Sequence, residues 1–421
     1  MLKTKQIEQI PLLLATLQWL FWALLVGTLA GSASAFFLVS LEWVTNFRES
    51  HWWIIALLPV GGFIIGWTYH RFGQSVLGGN NLIIDEFHMQ RRPIPFKMAP
   101  LVLFGTLATH LFGGSAGREG TAVQMGASIA DQFTRLFKLK PRDRRMLLTM
   151  GISAGFASVF GTPLAGAVFA LEVLILGRMR YEAILPAFFA AIIADYTCHV
   201  WQVTHTHYAI PTVPPMTPQN FLWTITAGIC FGLVALLFSK MAHLWQNLFT
   251  NRIHYAPLRP VVGGVVIALA VWASGTTKYI GLGIPTIVAA FTDDLPFYDF
   301  LLKTLATTFT LGAGFKGGEV TPLFFIGATL GNALSELIPL PVALLAGMGF
   351  VSVFAGATNT PIACTLMGSE LFGAESSVFI ALACVVAYLF SGHTGIYSSQ
   401  IIGSTKHGLY LRKKSRRVGD L

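Results

Sequence analysis

Charge is scarce in this sequence. Only 11% of its 421 residues are charged, against about 25% in an ordinary soluble domain, and that shortfall excludes a conventional water-soluble fold. Cysteine is scarce too. Cys198, Cys230, Cys364 and Cys384 lie far apart with no CxxC spacing, which argues against a disulfide frame or metal cluster and predicts four free thiols. The histidines show no HExxH or other metal-ligand spacing, so no metal or cofactor is expected. His205 and His207 stand in a polar, proline-rich stretch and read as solvated loop residues. A cleavable signal peptide is missing as well: the first apolar run, Leu12 to Leu41, is too long for one and has no clear cleavage site.

What is present is apolar. Hydrophobic residues make up 54% of the chain, and runs approaching the ~20 residues that cross a bilayer recur along it. The reading is an all-α, multi-pass membrane protein embedded in lipid, with little mass outside it. Net charge is +9. Basic residues gather at Lys3 and Lys5 and again at Lys406, Arg412, Lys413, Lys414, Arg416 and Arg417, which by positive-inside bias puts both termini in the cytoplasm and the protein in the cell membrane. The same excess suits anions, and composition does not separate the two; no nucleic-acid partner is expected.

In chain order, a long tilted helix is expected over Leu12 to Trp43 and a second over Trp52 to Tyr69. Gly78 and Gly79 open a short helix with Asn80 as its cap. Basic loops follow at 90–93 and 138–145. The stretch 199–219 is polar and carries Pro211, Pro214, Pro215 and Pro218, which marks a linker. Features on its two sides match. Thr162-Pro163 and Thr360-Pro361 each precede a glutamate, Glu172 and Glu370, nine residues past the proline. We therefore expect one transmembrane domain over 1–421, built of inverted repeats at about 12–200 and 220–400 with the site between them.

Two glycine-rich runs dominate the chain, Gly113-Gly114-Ser115-Ala116-Gly117-Arg118-Glu119-Gly120-Thr121 and Gly312 to Pro322. Each has a cation, then a glutamate, then a threonine two residues on, and each opens an apolar segment. Glycine uncovers backbone N–H groups, and a helix start aims them at an anion. Glu119 and Glu319 sit at these starts. Capping a helix with an acid stabilises by about 0.3–1 kcal/mol, whereas a charge at mid-membrane costs from about 2.5 to more than 10 kcal/mol, so both glutamates point to gating or proton transfer. Glu172 and Glu370 read as caps or pairs within the bundle. Arg118 and Lys316 either attract anions or neutralise the neighbouring acid.

With these motifs the chain resembles the CLC family of chloride channels and proton-coupled anion exchangers. Gly117-Arg118-Glu119-Gly120-Thr121 matches the family's GREGP segment with Glu119 at the gating glutamate, and Tyr397 matches its pore tyrosine. Asn80 stands where common members have a serine, Thr121 replaces a proline, and Glu319-Val320-Thr321-Pro322 replaces a GIFAP-like ending. The inner proton-transfer glutamate of many exchangers falls on Val173. These departures resemble the fluoride-specific bacterial branch. The resemblance implies a CLC-type inverted repeat with many tilted and broken helices, and a homodimer with one ion pathway per subunit. It implies no enzyme activity and no cytoplasmic regulatory domain. The implied function is proton-coupled fluoride export conferring fluoride resistance. Glu119 and Glu319 would handle protons, and Asn80, Gly117, Arg118, Gly120, Thr121, Val320, Thr321 and Tyr397 would contact the anion. Chloride is the alternative substrate, in an exchanger or a channel. The remote alternative is an intramembrane serine protease, since Gly113 to Gly117 fits GxSxG. Ser115→Ala separates these classes: a transporter keeps most of its flux, whereas a protease loses its activity, as read by ion flux and peptide cleavage on the same preparation.

Overall fold

The computed structural model describes residues 9–408 and 415–420; Lys3, Lys5, Arg412, Lys413 and Lys414 of the basic ends lie outside them. Sixteen α-helices carry the described chain, eight before a helix-free stretch at 201–217 and eight after it. The first eight are α1 (Gln9–Ser50), α2 (Leu58–Phe72), α3 (Asn80–Met89), α4 (Met98–Phe112), α5 (Glu119–Leu136), α6 (Pro141–Phe160), α7 (Pro163–Glu172) and α8 (Ile184–Val200). The second eight are α9 (Pro218–Arg252), α10 (Leu258–Ser274), α11 (Ile284–Ala289), α12 (Asp299–Gly312), α13 (Val320–Leu334), α14 (Val342–Thr358), α15 (Pro361–Phe372) and α16 (Ser377–Phe390). The strands among the described residues are one parallel pair, β1 (Ile175–Leu176) and β2 (Ile401–Ile402).

Helix length separates two populations. Four helical stretches are long and apolar enough to cross a membrane: Leu13–Ser50, Trp52–Phe72, Tyr181–Val200 and Pro218–Arg252. At 1.5 Å per residue, α1 is about 60 Å long, roughly twice a hydrocarbon core, so it lies tilted. It runs past the Trp43 limit expected from the sequence because the polar residues near its end form its last turns. Other apolar helices have 10–17 residues, too few to span alone. Where such a helix ends inside a bilayer, its free backbone groups must be covered by protein or a cavity.

The two halves repeat each other in detail. Gly161 ends α6 with φ 67° and Asn359 ends α14 with φ 62°, both left-handed caps. A Thr-Pro pair follows each and starts α7 or α15, with proline in the first turn where its missing N–H costs nothing. The helix pairs α5–α6 and α13–α14 both cross at facing glycines. A Cβ on Gly126 would stand 2.3 Å from the Gly151 carbonyl, and one on Gly327 2.0 Å from the Gly349 carbonyl. Small residues thus bring the backbones into contact, as membrane helices require. Phenylalanines join the halves: Phe156 stacks on Phe169 at 4.2 Å, Phe324 on Phe350 at 3.9 Å, and Phe160 meets Phe324 at 5.1 Å. The outer surface is greasy, with Leu13, Trp43 and Trp272 each more than half exposed, as a lipid-facing belt should be.

One charged cluster ties α3, α5 and α6 together. The Arg144 guanidinium donates to Asp131 Oδ1 and Oδ2 at 2.8 Å each and to Glu86 Oε2 at 3.2 Å, and its side chain is only 5% exposed. Replacing Arg144 leaves two shielded carboxylates facing each other, a loss of about 3–5 kcal/mol for a buried pair broken on one side. Arg144→Gln is expected to lower the thermal unfolding midpoint in detergent markedly; an unchanged midpoint would mean that water already screens the cluster.

Candidate anion and proton pathway

The two glycine-rich runs meet head to head. The Gly117 N–H donates to the Gly318 carbonyl at 2.6 Å and the Gly318 N–H returns to the Gly117 carbonyl at 2.8 Å, an isolated antiparallel bridge. Glycine is required there, because a Cβ on Gly117 would lie 2.8 Å from the Glu119 carboxylate and 3.0 Å from the Gly318 carbonyl. The bridge sets the starts of α5 and α13 side by side. From it α5 runs to the loop bearing Lys138 and Lys140. The far end of α13 is tied by Asn332 to the 290–295 loop, where Asp293 and Asp294 stand.

Glu119 is the first residue of α5, yet its side chain caps the other helix. Its Oε2 accepts the Thr321 N–H at 3.1 Å and the Arg118 N–H at 3.1 Å, and its Oε1 accepts the Thr321 hydroxyl. The Arg118 Nε stands 3.8 Å away. The residue is fully buried. A carboxylate here occupies the place where α13 presents free N–H groups and its positive dipole end. Glu319 lies one position before α13, which begins at Val320 and not at the glutamate. Its Oε2 is buried without a hydrogen bond and faces α5: a Cβ on Gly120 would sit 3.8 Å from it and 3.0 Å from the Asn80 amide nitrogen. Each half thus leans its glutamate toward the helix start of the other.

Asn80 differs from expectation. The cap of α3 is Gly79, at φ 54°, and Asn80 is the first helical residue, its side-chain oxygen buried without a hydrogen bond. Its amide is therefore free to face the Gly120 turn. A cavity of about 190 Å³ gathers Asn80, Gln124, His243, Lys316, Glu319 and Tyr397. A second, of about 350 Å³, is lined by Glu42, Arg118, His205 and Thr206 among others. A narrow void of about 20 Å³ touches Arg118, His205, Thr206 and Thr321. Glu119 is bonded to Thr321, which lines this void.

The remaining expected residues are placed less directly. The Thr121 hydroxyl is 2.7 Å from that of Thr106 and so faces α4. Val320 is buried, and it lines none of the three cavities above. Gly120 supplies its lack of a side chain, which admits Asn80 and Glu319. Val173 is buried and offers only its carbonyl, which accepts from Gln400 Nε2 at 2.8 Å. Glu172 caps α15 through the Ile362 and Ala363 N–H groups, and Glu370 caps α7 through those of Leu164 and Ala165, at 2.8–3.2 Å. Arg118 pairs with its neighbouring acid, whereas the Lys316 ammonium lies 4.4 Å from the centre of the Tyr69 ring, in the Asn80 cavity. His205 is the clear departure from the sequence reading. Both its ring nitrogens are sealed from solvent, because 201–217 folds back onto Gly161. His243 and His205 carried no sequence signal, since each is placed by a segment remote from the glycine runs, and Gln124 follows the first run by one turn of α5 without a motif to mark it. The Ser115 hydroxyl is fully buried and shares a hydrogen bond with Thr307 at 2.9 Å, and helix α4 precedes it where a hydrolase elbow needs a strand. No group of three metal-ligating side chains occurs among the described residues.

Residues 61–392 match the voltage gated chloride channel family. The chain belongs to that family. This chloride channel family member is 54% identical to the chloride/fluoride channel protein of Pseudomonas syringae pv. tomato, over 97% of this chain and 91% of that protein. It is 27% identical to the H(+)/Cl(-) exchange transporter ClcA of Vibrio vulnificus, over 92% and 90% of the two chains. Among solved structures it superposes on a CLC-type fluoride/proton antiporter with a TM-score of 0.88 at 37% identity, covering 91% of this chain and 97% of that one. A slow cyanobacterial Cl-/H+ antiporter at 20% identity, with a TM-score of 0.77, shares the fold.

The Thr321 hydroxyl holds the Glu119 carboxylate against the α13 start. A hydrogen bond to a charged group contributes about 1.5–3 kcal/mol. Thr321→Val is expected to loosen Glu119 and lower the number of protons moved per anion, while Thr321→Ser keeps the wild-type ratio; simultaneous recording of anion flux and internal pH reads both.

Proposed function

We propose that the protein exchanges fluoride for protons and so exports fluoride from the cell. The observation that carries this reading is Glu119 bonded at the α13 start to Thr321, which lines the narrow void. A fixed carboxylate and a free anion compete for one set of N–H donors, so an anion enters only when the carboxylate leaves. Protonation removes its charge and releases it. A closed route of this kind suits an exchanger better than an open channel. The names of the relatives support anion and proton movement, and the antiporter at 37% identity supports fluoride.

Orientation follows from charge. Arg91, Arg92 and the 138–145 loop lie at one face; the 201–217 and 290–298 segments have no Lys or Arg. Positive-inside bias makes the first face cytoplasmic and 201–217 external, which agrees with cytoplasmic termini in the cell membrane. The Asn80 cavity is then the inner one and the Arg118 cavity the outer one. Fluoride is stripped of water by the Asn80 amide, the Tyr397 and Thr321 hydroxyls and the helix starts, with Gly117, Gly120, Thr121 and Val320 shaping the path. External acid protonates Glu119, and fluoride takes its place. With Val173 at the inner position, the proton passes inward by way of Glu319, whose unpaired oxygen faces the inner cavity side of Gly120. In an acid medium HF enters the cell and dissociates, and the inward proton gradient drives the trapped fluoride out. The repeats at 12–200 and 220–400, the 199–219 linker, the homodimer with one pathway per subunit and the lack of enzyme activity belong to the same proposal. Chloride is the second reading, favoured by the Pseudomonas relative's name.

Liposomes loaded with fluoride or chloride test it. Fluoride efflux with proportional proton uptake and much slower chloride efflux is expected; equal fluxes of both anions would defeat the fluoride assignment. Glu119→Gln is expected to abolish proton coupling and Glu319→Gln to impair it. Wild-type coupling in the Glu319 variant would remove that residue from the proton route.

A further inference from the structure

Arg118, His205, Thr206 and Ile284 line both the outer cavity and the narrow void behind it. They form the partition between the wide space and Thr321, the partner of the gating glutamate. Two of them are donors without a committed acceptor. The Arg118 Nε is buried and makes no hydrogen bond, its nearest acid being the Glu119 carboxylate at 3.8 Å. Both His205 ring nitrogens are shielded from solvent; the Val159 carbonyl serves as a loose acceptor for one, and the other has no partner. Buried polar groups left unpaired call for an explanation, and an absent ion is one of the few available.

The surroundings select the sign of that ion. The guanidinium is a donor only. His199 and His207 face His205 as further bases, and Glu42 is the acid across the outer cavity. Phe160, Phe324 and Phe350 wall the void, so a guest there exchanges water for direct N–H contacts. Its volume of about 20 Å³ admits one water-sized particle, and fluoride is close to water in size. Arg118 also loses its ion-pair partner whenever Glu119 is protonated, at the moment when an anion needs a place on the outer side.

We propose that Arg118 and His205 form an outer holding site for a small, hard anion, fluoride, between Glu119 and the external cavity. The ion passes from the α13 start to these donors and then to water, while the carboxylate returns behind it. This site rests on the antiporter reading for its ligand, and on the orphaned donors and the void for its place. His205 is thereby a specificity-determining residue contributed by the linker, outside both glycine runs.

Right-side-out and inverted membrane vesicles test it, with fluoride offered at one face at a time. In right-side-out vesicles His205→Ala is expected to raise the fluoride KM about ten-fold, the loss of one hydrogen bond to a charged partner. His205→Gln, which keeps an N–H donor, is expected to recover most of it. In inverted vesicles the KM and the proton-to-fluoride ratio are expected to stay at wild-type values. An unchanged external KM in His205→Ala, or an equal rise at both faces in both variants, would overturn the site. So would an unchanged KM with a shifted external-pH profile rescued by added imidazole, which would make His205 a proton relay instead. Wild-type vesicles in the same assay report the substrate separately: if chloride moves as fast as fluoride, the fluoride reading fails and the site is scored with chloride.

Discussion

Everything in this pathway depends on a carboxylate that caps a helix it does not belong to. Helix starts at membrane depth leave N–H groups that no water satisfies. The Glu119 side chain supplies the missing acceptor to α13 through Thr321. Because the cap is a titratable group on a neighbouring helix, the proposed exchange has protonation release it and an anion take its place at the same N–H groups. A serine or aspartate of α13 itself would stabilise the start permanently and leave no site.

The same arrangement recurs where permanence is wanted. Glu172 caps α15 and Glu370 caps α7, each across the boundary between halves. Both accept two backbone N–H groups, and neither lines the three cavities on the pathway. The geometry differs between the two pairs: α5 and α13 meet start to start, whereas α7 and α15 run side by side in opposite directions, so the acid near the end of each reaches the start of the other. What separates Glu119 and Glu319 from this second pair is their setting. Glu119 and Glu319 have glycines beside them, Gly117, Gly120 and Gly318, which leave room for a side chain or an ion to move.

Much of this was legible in the chain. The glycine runs, the Thr-Pro pairs with their glutamates and the long apolar segments all rest on local chemistry: backbone freedom, proline's missing donor and the cost of charge in lipid. Their positions hold to within a few residues, with α13 starting one residue after Glu319 and α1 outrunning its apolar core. Gly79 and not an asparagine caps α3, because asparagine is a good cap in isolation but the turn there needs the positive φ that glycine supplies. His205 departs from the local reading for a different reason. A polar loop usually meets water, and nothing local tells that 201–217 turns back over Gly161.

The sequence by itself determined that this is a polytopic membrane protein of two related halves, with glycine-opened helix starts beside Glu119 and Glu319. Those properties follow from composition and short-range spacing. Only the tertiary structure decided which glutamate reaches which helix, that Arg118 pairs with Glu119 while Lys316 lies on Tyr69, and that Thr121 turns aside to Thr106. Direction is a property of side chains converging from segments some two hundred residues apart, and no periodicity within one segment records it. The bridge between Gly117 and Gly318 brings those segments together, and the pathway exists only once it has formed.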